Sequence, residues 1–299
     1  MTAPAAPGFT ERVRSLPILG VGVSTEYGAA DAPGALDPRL LRAAFPDRAR
    51  FLEVGVEIAK GLDGAALRWA GEGLPTTFHF LDINLDEPED MTEGWLRAVR
   101  DAAAALAPAW LCGDAGLWHF GRRERGHMLL LPPVLCDQAA TDLAAGVRAL
   151  REATGYEVLP ENPPGEVFLG DLHLLEFYAR VCERSDTGLL LDCAHLAIFQ
   201  RARGHAPTDG LDDFPLDRVV EVHIAGGVER ERGGFTWVED HHGVDVLPDT
   251  WQIFRAVAER APNLKAVVFE CERNRLEDTA AGFERIAAIL REAGREALL

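Results

Sequence analysis

Four short apolar runs in the second half of the chain each carry, at or near their end, a residue able to bind a cation. Tyr156–Pro160 leads into Glu161 and Asn162, Gly188–Asp192 ends in Asp192, Val219–Ala225 contains His223, and Lys265–Glu270 ends in Glu270. Glu161, Asp192 and His223 follow one another at intervals of 31 residues, and Glu270 comes 47 later. An interval of about 30 residues is one strand-and-helix unit. The last interval reads as such a unit with a long loop inserted. A carboxylate after an apolar run is costly to bury unless something neutralises it, and one divalent cation neutralises several. Any one of these acids could instead cap the next helix or pair with an arginine. Four donors at one mouth fit a metal site better.

Two further words add donors. Asp192-Cys193-Ala194-His195 is D-x-x-H at a strand-to-helix junction, which brings His195 to the same mouth. Asp240-His241-His242-Gly243 is D-x-H-G, and residues two apart in an extended segment point the same way. His195, Asp240 and His242 form a two-imidazole, one-carboxylate set of the kind that leaves coordination positions open. His79, in the third apolar run, and Asp114, after the fourth, offer a third position with Glu161 as bridge. His119, His127, His173 and His205 lie in loop or helix contexts and read as structural or solvated.

The elements that must position these residues alternate along the chain. Eight apolar runs recur, the other four being Ile18–Ser24, Phe51–Glu57, Thr76–Asp82 and Ala109–Gly113. Continuous stretches such as GLLLD and KAVVFE suit parallel strands covered on both faces. Helical spacing marks Asp137–Ala153, Leu169–Arg184, Asp249–Arg260 and Leu276–Ala293. Eight strand-and-helix units predict a (β/α)8 barrel, whose active site lies at the C-terminal strand ends. An open doubly wound sheet is the rival, but no GxGxxG or GxxxxGK[ST] opens a helix. Glu26–Pro38, Gly113–Pro133 with its basic GRRERG, and Gly226–Gly243 read as loops.

The chain has 299 residues, 47% of them hydrophobic, so one barrel domain over 1–299 accounts for it, with residues 1–14 as a flexible tail. Forty-eight acidic against 30 basic residues give a net charge of −18, which repels nucleic acid. No segment reaches the roughly 18 apolar residues of a membrane span, and the N-terminus lacks the order of a signal peptide. Five cysteines without a CxxC pair fit a reduced, cytoplasmic setting.

The words in the second half resemble those of one family. Leu159-Pro160-Glu161-Asn162-Pro163 is similar to its L-x-E-N-P, and Gly188-Leu189-Leu190-Leu191-Asp192 to its G-L-L-L-D. Arg218 to Gly226 (RVVEVHIAG) is similar to its R-V-x-E-I-H-L-A-G, and Asp240 to Gly243 with Trp251 to its D-x-H-G and downstream W. This is the family of multinuclear non-haem iron-dependent oxidative enzymes, within the xylose isomerase-like and endonuclease IV-like barrels. The resemblance runs from about Pro17 to Glu272. Where the family reads S-[ED]-H-L this chain has Gly113-Asp114-Ala115-Gly116, and its E-N-Y is here Glu57-Ile58-Ala59.

The resemblance implies two or three iron ions, dioxygen as co-substrate, a ribosomally made precursor peptide as substrate, and a small partner protein that holds the peptide's leader. It implies one iron on Glu161, Asp192, His223 and Glu270, and another on His195, Asp240 and His242. His79 and Asp114 would serve the third. The alternatives are a metal-dependent sugar isomerase or epimerase using the four-residue set alone, phosphodiester cleavage, which the net charge opposes, and a non-catalytic peptide-binding relative.

Overall fold

Apolar runs that are covered on both faces pair side by side, and here all eight do so in parallel. The computed structural model describes residues 7–25, 36–121 and 129–299. In it β1 (Gly20–Thr25), β2 (Leu52–Val56), β3 (Thr76–Phe80), β4 (Leu111–Asp114), β5 (Val158–Glu161) and β6 (Leu189–Asp192) follow in spatial order. β6 pairs with β7 (Val219–Arg232), β7 with β9 (Ala266–Glu270), and β9 with β1, which closes an eight-stranded parallel barrel. β8 (Phe235–Gly243) stands outside the barrel, antiparallel to β7.

The helices cover the outer face. They are α2 (Pro38–Ala44), α3 (Gly64–Gly71), α4 (Glu93–Leu106), α5 (Asp137–Thr154), α6 (Leu174–Ser185), α7 (Cys193–Arg203), α8 (Pro248–Arg260) and α9 (Leu276–Glu292). The four helices read from sequence are present. α6 begins five residues later than its apolar pattern because Gly170 is bridged to Leu135 and His173 supplies the cap, its Nδ1 accepting from the Leu175 amide.

Two expectations are corrected. The flexible tail over residues 1–14 does not hold for residues 9–14. Phe9–Ser15 is a helix, α1, whose Phe9 and Val13 lie one turn apart and are buried. They pack on Phe51, Trp110, Leu159, Leu190 and Val220 near the strand starts, and so plug the barrel's lower end. Arg12 fastens this helix to Glu157, 2.8 Å away. Residues 1–6 lie outside the described residues. Second, 226–243 is no loop. β7 runs 14 residues, past the barrel rim, and returns as β8. Gly233 and Gly234 make the turn at φ 62° and 78°, the left-handed pair that two-residue hairpin turns require.

Of the expected loop 26–38 only residues 36–38 are described, and of GRRERG only Gly121. Among the described residues no helix is long and apolar enough to cross a membrane.

Candidate metal centre

Side chains alternate along each strand, so every second residue points into the barrel. The sequence spends these inward positions on ionisable groups, toward the C-terminal ends at His79, Asp114, Glu161, Asp192, His223 and Glu270, and near the start of β2 at Glu53. Register sets Asp114 beside Glu161 and Asp192 beside His223. His195 enters from the first turn of α7, and Asp240 and His242 from β8.

All nine residues singled out from sequence meet. Glu161 is the hub. Its Oε2 lies 2.8 Å from His79 Nε2, and its Oε1 lies 3.4 Å from His223 Nδ1 and 3.5 Å from His195 Nδ1. His223 Nδ1 is also 3.4 Å from Glu270 and 3.9 Å from Asp192. On the outer side Asp240 Oδ2 is 3.2 Å from His195 Nε2 and 3.1 Å from His242 Nε2. Asp114 Oδ1 lies 3.8 Å from His195 Nδ1. Three of the clusters with ligand atoms close enough for one ion are His79–Asp114–Glu161, Glu161–Asp192–His195 and Asp192–His223–Glu270.

Asp192 does two things at once. Its Oδ1 caps α7 by accepting from the His195 amide at 2.6 Å. Its Oδ2 is buried and has no hydrogen-bond partner. The capping role and the site role are therefore compatible. His242 sits at φ 50°, in the left-handed region that a non-glycine residue avoids. Asp240 and His242 thus share a side through a kinked strand, not a plainly extended one.

Sequence reasoning left out three residues. Glu53 accepts from His223 Nε2 at 3.1 Å, Glu272 accepts from His242 Nδ1 at 3.0 Å, and Glu221 accepts from Trp110 Nε1 at 2.6 Å. The signal for the first was a glutamate inside the apolar run FLEVGVE, and for the second an acid two after Glu270. Asn162, in the L-x-E-N-P word, bolts β5 to β6. Its Oδ1 takes the Asp192 amide at 2.9 Å, and its Nδ2 donates to the Asp192 carbonyl at 3.0 Å. His119, read as structural, is buried on Asp90 and the Gly121 carbonyl, and His173 and His205 both meet Gln200. His127 lies outside the described residues. Glu57 pairs with Lys60 at 2.6 Å, and Ala115, next to Asp114, is buried.

A cation fits this donor set. Asp114 Oδ1, Asp192 Oδ2, His223 Nδ1, Asp240 Oδ1 and Glu270 Oε2 are all buried without hydrogen-bond partners, and such atoms demand a partner of some kind. Without metal the cluster balances itself with protons. Burial opposes a charged His79, but Glu53, Glu161 and Asp114 outweigh it and hold its pKa up at about 9. Burial, then Glu161, lifts Asp114 to about 8. Asp192 is raised by burial first and by Glu270 next. For Asp240 burial is outweighed by His242 and His195, and the group is lowered. Above the donors a cavity of about 200 Å³ is walled in part by Ser24, Thr25, Leu81, Trp118, Leu130 and Pro164.

The family of the RiPP precursor modification enzyme MbnB/TglH/ChrH matches residues 36–291. The chain belongs to this family. Relatives include the UPF0276 protein of Anaeromyxobacter sp. (strain Fw109-5), 24% identical over 208 residues, covering 68% of this chain and 71% of that protein. That of Rhizorhabdus wittichii is 26% identical over 254 residues, covering 82% and 84%. Among solved structures, a xylose isomerase-like TIM barrel protein from Mycobacterium smegmatis in complex with magnesium superimposes with TM-score 0.55 at 14% identity, over 94% of this chain and 98% of that one. A sugar phosphate isomerase/epimerase from Parabacteroides distasonis does so with TM-score 0.59 at 13% identity, over 92% and 96%. These likenesses show that the chain shares the (β/α)8-barrel fold of those structures.

Proposed function

We propose that this member of the MbnB/TglH/ChrH family is an iron-dependent enzyme that uses dioxygen to oxidise a residue, a cysteine, of a ribosomally made precursor peptide. The observation that carries it is the set of buried, unpartnered donor atoms on Asp114, Asp192, His223, Asp240 and Glu270, in a chain of a precursor-modifying family. Glu161, Asp192, His223 and Glu270 would hold one ion, and His195, Asp240 and His242 a second. Glu161 would bridge to a third at His79 and Asp114, where Ala115 supplies no imidazole. Bound iron would supply the redox change that oxidising a thiol with dioxygen requires, which zinc does not.

The chain's own residues do the rest. Trp118, Leu130 and Pro164 give the cavity an apolar wall that excludes water from an entering side chain. Ser24 and Thr25 are polar members of the same lining, the Ser24 hydroxyl donating to Glu272. A small partner protein holding the leader belongs to the same proposal. The isomerase reading needs only the four-residue set and leaves His195, Asp240 and His242 without a task.

The test is a reaction with a Cys-containing precursor peptide encoded by a neighbouring gene. Iron-loaded and zinc-loaded protein are run with and without air, and product mass is read. Turnover only with iron and air is expected. Equal turnover with zinc, or indifference to air, overturns the oxidative reading. Alongside it, His195→Ala and His242→Ala should each lose about one equivalent of metal and all activity with the fold intact, because neither side chain belongs to the apolar core.

A further inference from the structure

Two of the imidazoles at the centre are held from behind. His223 turns Nδ1 toward Glu161 and Glu270, and its far nitrogen, Nε2, donates to Glu53 Oε2 at 3.1 Å. His242 turns Nε2 toward Asp240 and Glu270, and its far nitrogen, Nδ1, donates to Glu272 Oε1 at 3.0 Å. Both carboxylates are buried, Glu53 at 1% and Glu272 at 4% exposure. Each is fixed by a further donor. Cys112 Sγ reaches Glu53 Oε2 at 3.3 Å, and Ser24 Oγ reaches Glu272 Oε1 at 3.1 Å. His195 differs, its Nδ1 lying 2.9 Å from the neutral Asn162 carbonyl.

We propose that Glu53 and Glu272 are positioning residues for the metal centre, one for each of its two main ligand sets. A neutral imidazole carries one N–H. When that N–H is donated to a carboxylate, the other nitrogen presents its lone pair in a fixed direction, and the negative charge makes it a better donor. Glu53 does this for His223 in the carboxylate-rich set, and Glu272 for His242 in the imidazole-rich set. Glu53 also offers an atom close enough to His79 and His223 for the three to share an ion; the positioning role is assigned because its Oε2 is already held by His223 Nε2 and Cys112 Sγ. Glu53 comes from β2 and meets His223 of β7, and Glu272 follows β9 and meets His242 of β8. This inference rests on the metal-centre reading given above.

The experiment uses Co2+ as probe on the full chain, with binding followed by equilibrium dialysis and by the cobalt d–d absorption. The unaltered protein should bind at least two equivalents. Glu53→Gln should weaken one equivalent about 10–100-fold and leave the other unchanged. Glu272→Gln should weaken the other equivalent and spare the first. Glu53→Leu, which removes the acceptor oxygen as well as the charge, should lose more affinity than Glu53→Gln. Should circular dichroism report that Glu53→Gln does not fold, Glu53→Asp takes its place with the same expectation. A purely structural ion pair would alter stability without sorting the two equivalents. Retention of full affinity in both variants, or equal loss of both equivalents in each, overturns the positioning role while leaving the metal-centre reading standing. An unaltered protein that binds no Co2+ overturns both.

Discussion

The two oxygens of Asp192 separate structure from chemistry, and two substitutions read them apart. Asn caps a helix about as well as Asp does, whereas Ala forfeits roughly 1 kcal/mol. In Asp192→Asn the amide oxygen still accepts from the His195 amide, now 2.6 Å from Oδ1. The other oxygen, buried and unpartnered, is replaced by an amide nitrogen that cannot bind a cation. Burial raises the Asp192 carboxyl, His195 opposes the rise and Glu270 and Glu161 add to it; the amide has the same shape and brings no charge into that site. Metal-free Asp192→Asn should therefore melt with the unaltered protein. Metal-free Asp192→Ala should melt lower by about 1.5–2 °C, the shift that ~1 kcal/mol gives a chain of this size. Both should lose metal affinity by more than about tenfold, since losing even an outer hydrogen-bond partner costs 10–100-fold. Thermal unfolding in a chelator gives the first comparison, and metal analysis after dialysis against a fixed free concentration gives the second. Undiminished metal binding in Asp192→Asn would refute the assignment of Oδ2 to the centre. Identical melting of the Asn and Ala variants would refute the capping argument.

Removing metal should make stability fall with rising pH. His79, held up at about 9, stabilises the fold fully below its ordinary value and loses that contribution as pH climbs through about 9. Asp114 and Glu221, both lifted to about 8 by burial, fold best with their protons and add a loss in the same direction. Urea unfolding of chelator-treated protein at about pH 6.5, 7.5 and 9 should show the decline, and saturating divalent metal should flatten it, because ligands shed their protons on binding. A metal-free profile that is level or rising would count against a proton-balanced cluster. At the other end of the barrel, Phe9→Ala should cost about 3–5 kcal/mol, because Phe9 is buried among Phe51, Trp110 and Leu190. Wild-type stability of that variant would mean α1 is not part of the core.

The barrel and six of its nine central donors could be read from the chain because one rule governs both, while His195, Asp240 and His242 were read from the local words D-x-x-H and D-x-H-G. A strand buried on both faces must be apolar throughout, so an acid or imidazole at its end stands out. Glu161, Asp192 and Glu270 announced themselves in this way. α1 did not, since Phe9 and Val13 alone give too short an apolar stripe to tell from a tail, and their partners lie up to 259 residues away in sequence at Val268. The hairpin of β7 and β8 was hidden for a different reason. Its alternation is diluted by Glu229, Arg230, Glu231 and Arg232, which are exposed, Glu229 pairing with Arg201 of α7.

Glu53 and Glu272 mark where spacing stops being informative. Glu53 sits inside an apolar run two residues before Gly55, and Glu272 follows Glu270 by two in the turn after β9. Pattern alone draws attention to such residues. It does not say whether they reach the ions or stand behind the ligands, because that depends on depth along the barrel axis and on which ring nitrogen a histidine turns inward. Those are tertiary quantities. A sequence thus specifies the inventory of a metal centre before it specifies the division of labour within it. Here that division follows from the two nitrogens of His223 and of His242, each with one face on the cluster and the other on a buried carboxylate.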